Sequence, residues 1–140
     1  MSDTSLATLA RTSLGGMLVL TGVGHLTVAR EAFQAQVPDW VPLPKDTTVL
    51  LSGVAEVALG SALLLAGRGH RAAVGRVAAA FFVAVFPGNV SQYIHHRSAF
   101  GLDTDAKRFV RLLFQPALAY WALRSTREPG RGATRGRPDA

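Results

Sequence analysis

Four stretches of this chain are almost free of charge, and that absence limits its fold more than any motif. Asp, Glu, Lys and Arg are missing from Thr12 to Ala29 and from Val77 to Ile94. Glu56 is the only one between Thr47 and Gly67, and none falls between Leu112 and Leu123. A helix of a soluble bundle carries charge on its outer face at almost every turn. Three of the windows reach the ~17 to 25 residues needed to cross a bilayer core, and the fourth does so if it begins at Lys107 or Arg108. The pattern predicts an all-α protein, an antiparallel four-helix bundle in the membrane, with helices at about 13–29, 47–66, 72–90 and 107–123.

The 140 residues suffice for one domain. Residues 1–12 read as a short cytoplasmic segment, and residues 124–140, rich in Arg, Gly and Pro, as a disordered cytoplasmic tail. The start is a poor secretory signal, because glycines interrupt its apolar run and no small-x-small site follows, so the first window is kept as a helix. There is no cysteine, which excludes a disulfide, a thiol nucleophile and a CxxC relay within the chain.

Orientation follows from counting. With four spans, one side carries nine basic residues, including Arg11, Arg68, Arg71 and Arg124, against three acids; the other carries six against five. The positive-inside bias predicts both termini in the cytoplasm, with Tyr120 and Trp121 at that interface and Trp40 and Tyr93 at the outer one. Thirteen of the fifteen basic residues are Arg, a usage found in GC-rich bacterial genomes, so the membrane is expected to be a bacterial plasma membrane.

The connections carry further expectations. The loop REAFQAQVPDWVPLPKD holds three prolines that fix extended backbone, with Phe33 and Trp40 suited to the headgroup level. The turn around Gly67–Arg71 is so short that the second and third helices should be antiparallel neighbours. Pro87-Gly88 should kink or end the third helix by freeing the carbonyl of Val83, and Pro116 should free that of Leu112.

An acid inside a membrane-length window needs a polar partner within the protein. At ~1.5 Å per helical residue, Glu56 shares its depth with His25, Asn89, Gln115 and Arg111, all in the outer half of the bundle, and Ser52 sits one turn from the acid. These six residues form a candidate ligand or proton-handling site. Each also has a packing reading: Glu56 and His25 can lock helices together, Asn89 and Gln115 can cap carbonyls freed by the prolines, and Arg111 can snorkel outward. No catalytic residue is assigned. His95-His96 lacks the spacing of metal ligands, so no metal site is expected. The arginines of the tail lack aromatic interleaving and suit anionic lipid headgroups rather than nucleic acid.

The segments GVGHLTVAREAFQAQVPDWVPLP, SGVAEVALGSALLL, AVFPGNVSQYIHH and RLLFQPALAYWAL, in this order from Gly22 to Leu123, resemble the DoxX-like family of small four-helix bacterial membrane proteins. The likeness falls on His25, Ser52, Gly53, Glu56, Pro87, Asn89, Arg111 and Gln115. It implies a bundle with a polar pocket acting as a membrane partner of enzymes of sulfur or oxidative-stress chemistry, the family's name being similar to that of a subunit of an archaeal thiosulfate:quinone oxidoreductase. The expected function is therefore a non-catalytic membrane subunit or scaffold. Its pocket would hold a quinone or another small lipophilic molecule, and its partners would be the bilayer, a redox enzyme and a second copy of the chain. If the assembly is enzymatic, the chain would belong to a quinone-linked oxidoreductase. The rival expectation is a small proton-coupled permease using Glu56 and His25.

Overall fold

The computed structural model describes residues 3–128, and all regular structure among them is helical. Helix α1 spans Asp3–Leu26, a short α2 spans Arg30–Phe33 and continues into a 3-10 turn at Gln34–Gln36, α3 spans Lys45–Leu65, α4 spans Arg68–Ile94 and α5 spans Asp105–Ser125. Helices α1, α3 and α4 are each long and apolar enough to cross a membrane. The tail expected to be disordered from Arg124 is not so at its start: Arg124 and Ser125 close α5, and Ser125 and Thr126 are buried, while its residues beyond 128 lie outside the described residues.

Several boundaries differ from the sequence reading for identifiable reasons. Helix α1 starts ten residues before Ser13 because Arg11 does not stop it. Arg11 turns inward, is buried, and donates to the carbonyls of Leu63 and Leu64 at the end of α3. Those carbonyls have no partner within their own helix, so the guanidinium acts as a cap borrowed from a neighbour. At the other end α1 stops at Leu26 rather than Ala29, where the amides of Thr27 and Ala29 both bond back to the Gly24 carbonyl. The loop expected to be extended instead begins as α2 and the 3-10 turn, since its prolines start only at Pro38. Pro44, with ψ 141°, then precedes the first residue of α3.

Pro87 does not end α4, which continues seven residues further to Ile94. A proline inside a helix costs about 3 kcal/mol, and tertiary packing offsets it: Gly88, Asn89, Ser91 and Gln92 are all buried in the turns that follow. Pro116 is likewise carried within α5. Helix α5 opens on Thr104, whose hydroxyl accepts from the Lys107 amide at 3.3 Å. Arg108 is buried in its first turns, bonded to Asp105, Ser98 and the Arg97 carbonyl.

Two antiparallel pairs make the bundle, α1 on α3 and α4 on α5, joined mainly through α1 and α5. Helices α3 and α4 do touch, but their principal partners lie elsewhere, so the tight Gly67 turn links the two pairs rather than building a pair of its own. The α1/α3 contact depends on facing glycines. A Cβ at Gly22 would lie 2.8 Å from the Gly53 carbonyl oxygen, and one at Gly60 would lie 2.6 Å from that of Gly15. Only hydrogen fits there, as in the small-residue interfaces of membrane helices.

The apolar core, Leu14, Leu18, Leu63, Ala78, Phe82 and Ala122 among its members, occupies the half of the bundle near the α3–α4 turn. Trp121, expected at the interface, leans on this half and donates its indole N–H to the Ala10 carbonyl at 2.9 Å. Outside, Leu20, Val28, Leu51, Val77 and Leu65 stand exposed, giving the molecule an apolar exterior that water would not favour.

Candidate functional site

Above the core, in the other half of the bundle, the two helix pairs separate around a cavity of about 330 Å³. The α1/α3 glycine contact sets its first wall. A Cβ at Gly53 would lie 2.8 Å from the Cβ of His25, so the bare backbone of α3 lets α1 deliver the imidazole one turn from Glu56. His25 Nδ1 lies 2.8 Å from Glu56 Oε2 and 2.9 Å from the carbonyl oxygen of Thr21. A ring nitrogen has one hydrogen to give, and two acceptors face it. Although the contact has ion-pair distance, Glu56 Oε2 is buried without a hydrogen bond. With Nδ1–H given to Thr21, the carboxyl is left to another donor.

Helices α4 and α5 supply the opposite wall. Asn89 reaches the cavity from the turn after Pro87, and Gln115 from the turn before Pro116. Asn89 Oδ1 and Gln115 Oε1 are also buried with no hydrogen-bond partner. Left without a hydrogen bond, each such buried oxygen costs about 1–3 kcal/mol, and all three belong to residues that line this one cavity. Among the described residues, Glu56 Oε2, Asn89 Oδ1 and Gln115 Oε1 are the buried side-chain atoms left in this state.

Arg111 and Ser52 complete the polar lining. All six residues singled out in the sequence thus border one cavity, arriving from all four long helices. His25, Glu56, Asn89 and Gln115 expose no more than 7% of their surface; Arg111 and Ser52 are half-buried. The cavity holds a carboxyl and a guanidinium among these polar groups, and Met17, Leu18, Phe82, Val85, Phe114 and Leu118 supply its apolar lining.

The segment after α1 adds Phe33 and Gln36 to this lining. Phe33 was expected at the headgroup level, but α2 folds it inward to stack on the His25 ring, centroids 3.4 Å apart and planes at 14°. Phe100 leans on its far side at 4.5 Å. Gln36 follows it in, because Gly88 has no side chain to hold off the Gln36 carbonyl. The proline-free run Arg30–Gln36, long enough for two helical turns, signals the helix but not the direction in which Phe33 faces.

The strap formed by residues 30–44 is fastened from three sides. Arg97 donates to the Val37 carbonyl at 3.0 Å and to Asp39 Oδ2 at 2.8 Å. Lys45 reaches the other oxygen of Asp39 at 2.9 Å. The Lys45 hydrogen bond first, and then the Arg97 charge, hold the Asp39 carboxyl below its usual range. Arg30 pairs with Asp46, which raises the guanidinium's already high pKa. The two adjacent histidines part company: His95 Nδ1 bonds back to the Ser91 carbonyl at 2.9 Å, and His96 Nδ1 meets Asp105 at 2.7 Å.

The sequence pattern of a family described as Domain of unknown function (DUF8561) matches residues 14–126. That span takes in every residue of the cavity. No curated protein and no solved structure matches the chain.

Proposed function

The chain belongs to the DUF8561 family, and from that premise we propose that it is an integral membrane protein whose cavity holds a small amphipathic molecule of the quinone or quinol kind. One observation carries this reading: three residues from three helices, each burying a side-chain oxygen that makes no hydrogen bond, line the same cavity. A quinol hydroxyl donates to Glu56 or to an amide oxygen. A quinone carbonyl accepts from Arg111 or from an amide nitrogen, and a carboxamide turned end over end answers either form. The apolar remainder of the lining suits a ring. At about 330 Å³ the space lies at the small end of ligand sites.

Four spans, with both termini in the cytoplasm of a bacterial cell, complete the proposal. Helix α5 carries too much charge to read as a span by composition, yet two of its arginines turn inward, Arg108 buried against the preceding loop and Arg111 bordering the cavity, while Asp105, Lys107 and Arg124 stay exposed near its ends. Its exposed residues include Phe109, Val110, Leu113, Phe114 and Tyr120, an apolar face fit for lipid. No cofactor motif accompanies the cavity, so the chain is read as the non-catalytic membrane subunit of a redox or stress-related complex, in line with its DoxX-like resemblance. The bound molecule is then shared with a partner enzyme.

The test is gentle purification followed by lipid extraction. A stoichiometric quinone or quinol is expected, and Glu56→Gln should lower its occupancy about tenfold or more, since a hydrogen bond to a charged group is worth about 1.5–3 kcal/mol. Recovery of bulk phospholipid alone would sink the reading. The His25–Glu56 contact favours one rival, a proton-coupled permease. It predicts pH-dependent flux in proteoliposomes that Glu56→Gln abolishes, and flux indifferent to that change removes Glu56 from any such mechanism.

A further inference from the structure

Beneath the strap lies a second, smaller cavity of about 160 Å³, between α3 and α4. It shares His25, Phe33, Gln36, Ser52 and Val85 with the polar cavity, so the two compartments adjoin, with the His25–Phe33 stack in the wall between them. Their chemistry differs. Glu56, Asn89, Arg111 and Gln115 belong only to the first compartment. The second is closed by Trp40 and Val41 of the strap, Val49 of α3, and Ala84 and Pro87 of α4. The hydroxyl of Thr48, also on this wall, is already bonded to the Pro44 carbonyl.

The smaller compartment leads outward. Trp40, Ala84 and Pro87 are exposed at its rim. Beside it the same two helices present Leu51 and Val83, each more than half exposed, so the seam faces hydrocarbon in a bilayer. The loose association of α3 with α4 leaves this seam open while the glycine contact closes α1 on α3.

We infer that the site takes a tailed ligand from the bilayer through the α3–α4 seam, its polar head resting among Glu56, Asn89, Arg111 and Gln115 and its hydrocarbon tail in the compartment beneath Trp40 and Val41. This rests on the reading that the first cavity binds a polar head. A tail moving from lipid into an apolar channel leaves one hydrocarbon environment for another, so it adds little affinity. It instead orients the molecule and selects amphiphiles with a single chain over two-chain phospholipids. The competing route runs between α1 and α5, where Phe114 borders the first cavity and is half exposed.

The full chain in lipid nanodiscs is irradiated, under anaerobic conditions, with an alkyl hydroquinone carrying a diazirine in mid-tail, and adducts are mapped by mass spectrometry. Adducts are expected on Trp40, Val41, Ala84 and Pro87 and should be competed by tail-less hydroquinone. Glu56→Gln should lower them about tenfold or more. Ala84→Phe, at an exposed position that tolerates bulk, should cut tail labelling about tenfold while tail-less hydroquinone binds as before in equilibrium dialysis. Val41→Phe blocks the same compartment from the strap and should act alike. Adducts concentrated on Phe114 and Leu118, still competed by hydroquinone, would overturn the route and leave the head site standing. Labelling that neither hydroquinone nor Glu56→Gln reduces would remove the head site and the tail site with it.

Discussion

Asn89 and Gln115 each put an oxygen into a buried space with nothing to bond it, and this separates a binding role from a packing role. If the amides existed to cap carbonyls freed by Pro87 and Pro116, replacing them would destabilise the bundle. If they wait for a ligand, a shape-matched apolar residue removes an unsatisfied group. Gln115→Met and Asn89→Leu should therefore raise the stability of ligand-stripped protein by about 1–3 kcal/mol and weaken binding in the same variant. Thermal unfolding in detergent before and after ligand removal reads both effects, and a loss of stability would return the amides to packing. Glu56 was legible in the sequence because a lone acid in an apolar window has nowhere else to go. Its neighbours were legible because helical rise converts sequence position into depth. Phe33 was not, since nothing local tells whether an aromatic in a loop faces lipid or folds back onto a histidine.

Packing between elements decides where those residues meet. Gly53 lies under His25 and against the Gly22 carbonyl, so any side chain there must push α1 away from α3. Gly53→Val should cost about 1–3 kcal/mol or more and separate His25 from Glu56. Gly16, with open space where a Cβ would stand, should accept Ala with a gain of up to about 1 kcal/mol. Equal behaviour of the two variants in thermal unfolding would contradict the glycine contact. Helical spacing puts Gly53 and Gly60 on one face of α3, but a small-residue stripe marks a face without saying which helix covers it. That is why a short turn suggested α3 beside α4, whereas the facing glycines bring α3 to α1. The strap answers to pH. Asp39 is held below 3.8, so its folded pKa is depressed; the clamp it forms is fully present above that value and is lost as pH falls through the lower folded one. In a Trp121→Phe background, Trp40 emission should change on acidification below 3.8, and Arg97→Ala should produce much of that change at neutral pH. A spectrum indifferent to both would show the clamp does not hold the strap.

For the molecule as a whole the decisive quantity is the number of crossings, because α5 alone decides whether the two ends share a side. With three crossings by α1, α3 and α4, the end of α5 lies opposite the start of α1; with four, they lie together. Hydropathy cannot decide this, since it counts Lys107, Arg108 and Arg111 as exposed charge, whereas Arg108 is consumed by the loop and Arg111 borders the cavity. The absence of cysteine allows a clean measurement. Single cysteines at Thr4, Gly69 and Glu128 should resist a membrane-impermeant maleimide in intact cells and react after lysis, while one at Asp103 should react in both. Gly69 has open space around it and Asp103 is exposed, so neither change disturbs packing. Labelling of Glu128→Cys from outside, with Thr4→Cys protected, would reduce the spans to three. Helix α5 would then lie along the membrane surface, and its wall of the cavity, with Arg111 and Gln115, would face water instead of closing a site within the bilayer.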